Sequence, residues 1–308
     1  YEAITIGHDR ETGELDFEDF RAKLDDDCAA IMITLPNTLG LFETKIEEIC
    51  RLAHEVGCLV YCDGANLNAL VGSLRPGDVG VDLLHVNLHK TFAVPHGGGG
   101  PGGGAICVAA NLEPFLPAPL VVRHRDGTYG LDHDRPDSIG RVHTYNGNFN
   151  AVLRSYAYIL QLGGDGLAEL GANAVLNANY LKALLADDFE YYVDRTCMHE
   201  FVIDGRPFRE YGVRTLDIAK RLIDHGYHPP TVYFPLIAPE AIMIEPTETE
   251  SKQTLDLFAA ALIEVAREAR ETPDVVLTAP HLTPVGRLDE VRAARQPDLK
   301  WDAAEAAG

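Results

Sequence analysis

Positive charge and long apolar runs are both scarce in this chain. Its 308 residues contain 26 Lys and Arg against 47 Asp and Glu, a formal net charge of −21. Because so acidic a surface repels phosphate backbones and anionic lipids, we expect a protein that binds neither nucleic acid nor membranes. No apolar stretch approaches the ~18 residues of a membrane-spanning helix. We recognise no secretory signal, and we therefore expect a cytoplasmic protein.

Cysteine patterns typical of disulfide frameworks or metal sites are also missing. The six cysteines form no CxxC pair and stand mostly in apolar runs such as CAAIMIT (28–34) and CLVYCD (58–63). A chain of this length can bury a core without cross-links, so we expect reduced, buried thiols.

Lysine is rare beside the acids, with 7 Lys and 19 Arg against 25 Asp. A Lys-poor, Asp-rich surface is typical of proteins adapted to high salt, where screening relieves the repulsion between carboxylates. The alternative is an acidic face that docks a partner. Because the carboxylates spread from Asp9 to Glu305 and do not cluster, we favour a halophilic protein.

Strand and helix patterns alternate along the first half of the chain. Apolar runs predict four strands, and apolar residues at helical spacing predict a helix that closes on Gly57. The strands are expected at 28–34, 58–63, 81–88 and 104–110, and the helix at 44–57. This alternation is typical of an α/β domain with a mainly parallel sheet.

The pattern changes after two helices expected at 149–162 and 166–186. Short strands are then expected near 199–204, 231–234 and 241–245, with helices near 214–226 and 250–271. We therefore expect a large domain over residues 1–180, a small α+β domain over 181–288 and a loose tail over 289–308.

Lys90 lies in an otherwise uncharged segment after an apolar strand, in HVNLHKTFAVPHGGGGPGGGAICV (85–108). A lysine that loses hydration there gives up its proton more readily, and its free amine is nucleophilic toward aldehydes. A surface lysine at a strand end is the alternative that this residue alone leaves open.

Asp63 ends the strand CLVYCD and is followed by Gly64, Ala65 and Asn66. An acid at the carboxyl end of a parallel strand points into the crevice where α/β proteins bind ligands. If the ligand is pyridoxal phosphate, this carboxylate can pair with the pyridine nitrogen. Ala65 would then lie against the ring, and Asn66 would donate to its phenolic oxygen. A loop acid or helix cap is the alternative.

The glycine run at 97–104 formally contains G-x-G-x-x-G. The dinucleotide fingerprint opens a helix, whereas this run leads into a predicted strand. We therefore do not expect a dinucleotide site. Glycines there would let the backbone approach a cofactor or a neighbouring chain closely.

Together these segments resemble glycine decarboxylase, the P-protein of the glycine cleavage system. The resemblance covers nearly the whole chain, and its most specific parts are the glycine run and EPTETESK. In archaea and many bacteria this family is divided into two subunits, and the chain resembles the second, lysine-bearing one. The matching segments are YCDGANLNAL (61–70), NLHKTF-(x)2-PHGGGGPG (87–102), SIGRVHTYNGNF (138–149), MHEFVID (198–204) and TVYFPLIAPEAIMIEPTETESK (231–252).

The resemblance implies a fold-type I enzyme that depends on pyridoxal 5'-phosphate and is similar in fold to aspartate aminotransferase. Lys90 would hold the cofactor covalently, and Asp63, Ala65, Asn66 and His89 would bind it. Glycine would lose carbon dioxide, and its aminomethyl group would pass to a lipoyl sulfur of the H-protein. The implied partners are this lipoylated protein and the first subunit, in a heterotetramer. No metal is expected.

The chain departs from the family pattern at two points. Gly103–Cys107 stand where the family usually reads Met-Gly-Pro-Ile-Gly, which affects backbone placement and leaves Asp63 and Lys90 unchanged. In fold-type I enzymes the phosphate-holding loop and the ring-stacking residue lie far upstream of the aspartate strand. Only 62 residues precede Asp63 here, so we expect the chain to be a truncated subunit.

Other features near these motifs have more than one interpretation. His89, His96 and Asn87 flank the lysine and could contact the cofactor, but structural hydrogen bonding is equally compatible with them. Arg141 is the candidate for binding the carboxylate of glycine. Another fold-type I enzyme, an aminotransferase or a desulfurase-like lyase, and a non-catalytic pairing subunit remain alternatives.

Two segments are interpreted structurally. Thr247 with Glu250 predicts a capping box that opens a helix. The His- and Asp-rich stretch 124–134 matches no tight metal-ligand spacing, and we expect a solvated loop there.

Overall fold

The computed structural model describes residues 1–97, 99, 102–142 and 147–300. In these residues the chain forms ten strands and eight α-helices. The strands are β1 (Ala30–Thr34), β2 (Leu59–Gly64), β3 (Leu83–Asn87), β4 (Gly104–Val108), β5 (Leu120–Arg123), β6 (Tyr129–Asp132), β7 (Glu190–Tyr191), β8 (Phe201–Asp204), β9 (Thr231–Val232) and β10 (Ala241–Ile244). The helices are α1 (Phe17–Lys23), α2 (Ile46–Glu55), α3 (Leu88–Thr91), α4 (Phe149–Leu185), α5 (Thr215–Asp224), α6 (Lys252–Glu271), α7 (Pro273–Leu277) and α8 (Glu290–Arg295).

The first sheet has the order β1-β2-β3-β4. Its first three strands are parallel, and β4 is antiparallel to β3. Helix α2 packs on one face because its apolar stripe, including Ile46 and Ile49, meets Val60 and Cys62 of β2 in one buried cluster. Gly57 follows α2 with a φ of +79°, the left-handed conformation that ends helices at glycine. The four predicted strands and the predicted helix are confirmed.

The register brings the end of β2 between its two neighbours. Asp63 pairs with Thr34 on one side and with His85 on the other. Because parallel strands end at the same edge of a sheet, the residues after β1, β2 and β3 all come to one place. Helix α3, which contains Lys90, follows β3 directly.

The second sheet is antiparallel, with the order β7-β8-β10-β9. Both faces of β8 are buried. Phe201 and Ile203 pack with α5 and α6, whereas Val202 packs with Leu39 and Leu41 from the segment after β1. The two sheets therefore share an apolar contact. The division at about residue 180 that the sequence suggests stays a prediction.

The helical segment α4 is interrupted at Gly163, whose φ of +64° and ψ of −171° are not helical. Two helices meet there, as the sequence predicts. The second half packs into the core of the second sheet through Ala178, Leu181 and Leu185. The first half exposes large apolar side chains, among them Phe149.

The structure corrects one structural prediction and refines another. Helix α6 begins at Lys252 with Ser251 as its cap, since the Ser251 hydroxyl accepts the Thr254 N–H at 3.1 Å. Thr247 therefore does not cap it. The loop expected at 124–134 is confirmed in part: residues 124–128 form the exposed loop of the hairpin of β5 and β6, whereas residues 129–132 form β6. None of the helices in the described part of the chain combines the length and apolarity needed to cross a membrane.

Candidate active site

Asp63 is half-buried at the carboxyl edge of the first sheet. Its Oδ1 accepts the backbone N–H of Ala65 at 2.9 Å and lies 3.4 Å from His85 Nε2. His85 Nε2 is also 3.1 Å from Asn87 Oδ1, and its Nδ1 is 2.7 Å from the Tyr61 hydroxyl. This arrangement fits the tautomer in which Nε2 carries the proton and Nδ1 accepts from Tyr61.

The side chains of Tyr61 and His85 hold the carboxylate of Asp63 from one face of the sheet. Successive side chains of a strand point to opposite faces, so Tyr61 and Asp63 share a face. Burial, and then the charge of Asp63, raises the pKa of the Tyr61 hydroxyl. Neither Tyr61 nor His85 was predicted from the sequence to belong to the site. Tyr61 stands two positions before Asp63, and a spacing of two places both side chains on the same face of a strand.

The side-chain amide of Asn66 binds within the protein. Its Nδ2 donates to the carbonyl of Pro36 at 3.0 Å and to Glu200 Oε1 at 3.3 Å. The amide therefore connects the segment after β1 with the start of β8. Ala65, beside it, is half-buried.

Lys90 is exposed, but its two neighbours in α3 have buried polar atoms. Within the described residues, His89 Nδ1 and Thr91 Oγ1 have no hydrogen-bond partner. The rings of His89 and His96 meet edge to face at 5.0 Å. Burial lowers the pKa of His89, and the charges of His96 and Lys90 lower it further.

The glycine run approaches His89 where it is described. A Cβ added to Gly102 would lie 3.8 Å from His89 Nδ1. The centre of the run, at 98, 100 and 101, lies outside the described residues, as does 143–146 of the segment SIGRVHTYNGNF. Arg141, the candidate for the glycine carboxylate, is exposed beside that second gap.

A buried ionisable group faces this edge from the second sheet. His199 is 1% exposed, and neither ring nitrogen has a hydrogen-bond partner in the described structure. Its Nε2 lies 3.7 Å from Glu200 Oε1 and 4.0 Å from Glu245 Oε1. Asn68 Nδ2 donates to that Glu245 oxygen at 3.0 Å. We call His199, Glu200 and Glu245 the acid–histidine cluster.

Burial dominates the ionisation of this cluster. It raises the pKa of Glu200 well above the usual range; the charge of Glu245 adds to this effect, and Lys90 and Asn66 oppose it. Burial also raises the pKa of Glu245. For His199, burial and then the charge of Lys90 lower the pKa to about 4. The cluster therefore favours a neutral His199 imidazole and shifts Glu200 toward its protonated form.

The cluster is the one group in the described residues whose three metal-type ligand atoms lie within 4.8 Å of one another. The nearby positive charge of Lys90 disfavours a cation there. From the sequence, MHEFVID was interpreted as a strand and as part of the family resemblance, and neither His199 nor Glu200 was assigned to the site. The signal was a His-Glu pair directly before a fully buried strand.

Asp63 and Asn66 thus lie at one edge of the sheet, and Glu200, which accepts from Asn66, is close enough to Lys90 for that charge to affect its pKa. His89 lies there too, with an unsatisfied buried atom. Their assignment to a cofactor, with that of Ala65, stays a prediction.

Two family models match the chain. Residues 171–281 match "Glycine dehydrogenase, C-terminal domain", and residues 3–116 match "Aminotransferase class-V". Three relatives are described as probable glycine dehydrogenase (decarboxylating) subunit 2. They are from Caldanaerobacter subterraneus (56% identical over 98% of this chain), Bacillus licheniformis (54%, 98%) and Lysinibacillus sphaericus (55%, 99%). The chain spans 62% of the length of each.

Two solved structures share the fold. Glycine decarboxylase (P-protein) of the glycine cleavage system, in an inhibitor-bound form, matches with a TM-score of 0.68 at 22% identity, over 85% of this chain and 59% of that one. Sphingosine-1-phosphate lyase of Burkholderia pseudomallei matches with a TM-score of 0.59 at 14% identity, over 88% and 60%. With the class-V match, they confirm the predicted fold-type I architecture.

Proposed function

The chain belongs to the family of glycine dehydrogenase (decarboxylating) subunit 2, and from this membership we propose that it acts in the pyridoxal-phosphate-dependent decarboxylation of glycine. The aminomethyl group would pass to the lipoyl group of an H-protein. Because the relatives are longer, the activity is proposed for a subunit of their full length. The observation that carries the proposal is the convergence of Asp63 and Lys90 at one sheet edge.

Unsatisfied polar atoms support a ligand at this edge. His89 Nδ1 and Thr91 Oγ1, on both sides of Lys90, are buried and have no partner in the described residues. Buried polar atoms are normally hydrogen-bonded, so atoms without partners suit the polar substituents of a ligand. Lys90 would supply the attaching amine, and Asp63, Ala65, Asn66 and His89 would hold the cofactor. When bound, pyridoxal phosphate supplies an electron-accepting ring.

Three residues of the chain would determine which charges and which protons lie around that ring. Asp63 offers a carboxylate fixed by the Ala65 N–H and by His85, suited to a protonated ring nitrogen. The lowered pKa of His89 favours the neutral ring, whose Nδ1 can accept or donate a proton. The raised pKa of Glu200 favours a proton on its buried carboxyl, which lies close enough to Lys90 for that charge to affect it.

The proposed partners follow from the family. A protein described as subunit 2 pairs with a subunit 1, and we propose a heterotetramer of the two that acts on a lipoylated H-protein. The exposed apolar side chains in the first half of α4, including Phe149, Tyr156 and Leu160, provide a surface of the kind that subunit pairing covers. The free thiols of all six cysteines suit the cytoplasm.

Covalent trapping tests the role of Lys90. The subunit extended to the length of its relatives is paired with subunit 1, loaded with pyridoxal phosphate and reduced with borohydride. We expect the reduced cofactor, which serves as the label, on the peptide that contains Lys90, and no labelled peptide in the Lys90→Ala variant. Lys252→Ala is the matched control, because Lys252 lies on α6 and pairs with Asp256. Label on another lysine in the wild type would overturn the assignment.

Isotope exchange tests the reaction. Labelled bicarbonate should enter the carboxyl group of glycine only when the H-protein is present. Amino-group transfer to 2-oxo acids without this exchange would favour an aminotransferase. A trapped cofactor with neither reaction would contradict the proposed activity and leave the cofactor site intact.

A further inference from the structure

The thiols of Cys28 and Cys58 lie in contact at the amino ends of β1 and β2. Their sulfurs are 2.9 Å apart, although the two residues are separated by 30 positions in the sequence. Both cysteines are free. In the described residues no other pair of sulfurs lies within hydrogen-bonding distance.

We propose that Cys28 and Cys58 form a modification site, at which a peroxide converts the two thiols into a reversible intrachain disulfide. This inference does not depend on the proposed enzymatic activity. It concerns the sheet edge opposite to Asp63, since both cysteines precede their strands and Asp63 lies near the end of β2.

The strand register places Cys58 opposite Ala29, the residue next to Cys28. Ala30 pairs with Leu59, and the Leu59 N–H donates to the carbonyl of Ala29 at 3.1 Å. Neighbouring strands lie about 4.8 Å apart, and disulfides join Cα atoms about 4.4–6.8 Å apart. Forming the bond requires the sulfurs to approach by only about 0.9 Å.

The environments of the two thiols assign different roles to them. Cys28 is half-buried and accessible to a small oxidant. Cys58 is fully buried, and burial, reinforced by the neighbouring Cys28, raises the pKa of its thiol to about 12. Since the thiolate is the form that attacks peroxides, Cys28 reacts first and Cys58 resolves it.

The reaction balances in two steps. The Cys28 thiolate attacks one oxygen of hydrogen peroxide, the O–O bond breaks, and the released hydroxide takes up a proton to become water. Cys28 is now a sulfenic acid. The Cys58 sulfur then attacks the Cys28 sulfur, the S–O bond breaks, and the Cys58 proton leaves with the oxygen as a second water. Two thiols are oxidised, and one peroxide is reduced.

The disulfide would close a loop that contains β1 and α2. Because it restricts the unfolded chain, we expect the oxidised protein to melt at a higher temperature than the reduced one, by several degrees. Dithiothreitol should reverse the shift.

Peptide mapping tests the proposal on the 308-residue chain. The reduced protein is treated with hydrogen peroxide, its remaining thiols are alkylated, and it is digested without reductant. We expect a linked pair of peptides containing Cys28 and Cys58. Cys107→Ser should retain this link, because Cys107 is exposed on β4, whereas Cys28→Ser and Cys58→Ala should lose it together with the thermal shift.

The proposal is overturned if the wild type gives only unlinked, over-oxidised Cys28 or links Cys28 to a different cysteine. If Cys58→Ala does not fold, Cys28→Ser alone decides, because Cys28 is only half-buried and its replacement disturbs the core less.

Discussion

The side-chain amide of Asn66 donates to the carboxylate of Glu200 at 3.3 Å, across 134 residues of sequence. This bond joins the loop after β2, beside Asp63, to the start of β8 in the second sheet. It is supported by a close backbone contact, in which the Met198 N–H donates to the carbonyl of Gly40 at 2.7 Å. The candidate site therefore depends on how tightly the two sheets approach.

Gly40→Ala should disrupt this approach. A Cβ at Gly40 would lie 1.8 Å from the Glu200 carbonyl oxygen, at a φ of +76°. Gly57 is the matched control: its φ is +79°, but no atom lies within 4 Å of an added Cβ. We expect Gly57→Ala to lower the free energy of unfolding by about 1–2 kcal/mol and Gly40→Ala by clearly more, as measured by urea denaturation. Equal losses would show that the contact with Glu200 has no role.

Glu200→Gln should stabilise the protein at alkaline pH. The raised pKa of Glu200 means that the folded state binds this proton more tightly than the unfolded chain does. The wild type therefore loses stability as pH rises above the ordinary carboxyl pKa of 4.5, by about 1.4 kcal/mol for each unit of the shift. Glutamine removes this loss and can still accept from Asn66. Urea titrations from pH 5 to 9 measure it. Glu250→Gln, at an exposed position, should follow the wild-type curve.

His199→Gln should flatten the acid side of the stability curve. Because the pKa of His199 is lowered from 6.5 to about 4, the unfolded chain gains a proton first as pH falls between these values. The wild type therefore loses up to about 3 kcal/mol across this window. We expect the variant to lack this loss and His228→Gln, at an exposed position, to retain it. An unchanged slope in His199→Gln would mean that the pKa of His199 is the same in the folded protein and in the unfolded chain.

Ser251→Ala should destabilise the protein more than Thr247→Ala. The Ser251 hydroxyl accepts the Thr254 N–H at the start of α6, and loss of such a cap costs about 1 kcal/mol. Thr247 lies before the helix, and its hydroxyl contacts Thr249. Thermal melting distinguishes the two. A larger loss for Thr247→Ala would favour the capping box that the sequence suggested.

The sequence predicts the elements of this fold well because their signals are local. The apolar runs at 28–34 and 58–63 and the stripe at 44–57 depend on residues only a few positions apart. The cap of α6 was misplaced for the same reason, since Thr247 has the acid three residues later that a capping box requires, whereas Ser251 has a threonine there. Only the geometry of the backbone selects between them.

Sequence alone also predicted that Asp63 and Lys90 lie near one edge, because Asp63 stands near the end of one parallel strand, Lys90 follows the next, and parallel strands end together. It could not determine the acid–histidine cluster or the contact between Cys28 and Cys58. Those depend on the register of β1 against β2 and on the docking of β8 and β10 beside the first sheet. The two cysteines are 30 positions apart, and the bond from Asn68 to Glu245 joins residues 177 positions apart, so no periodic pattern encodes these contacts. Tertiary packing alone decides which buried groups share a low-dielectric space and therefore which protons they hold.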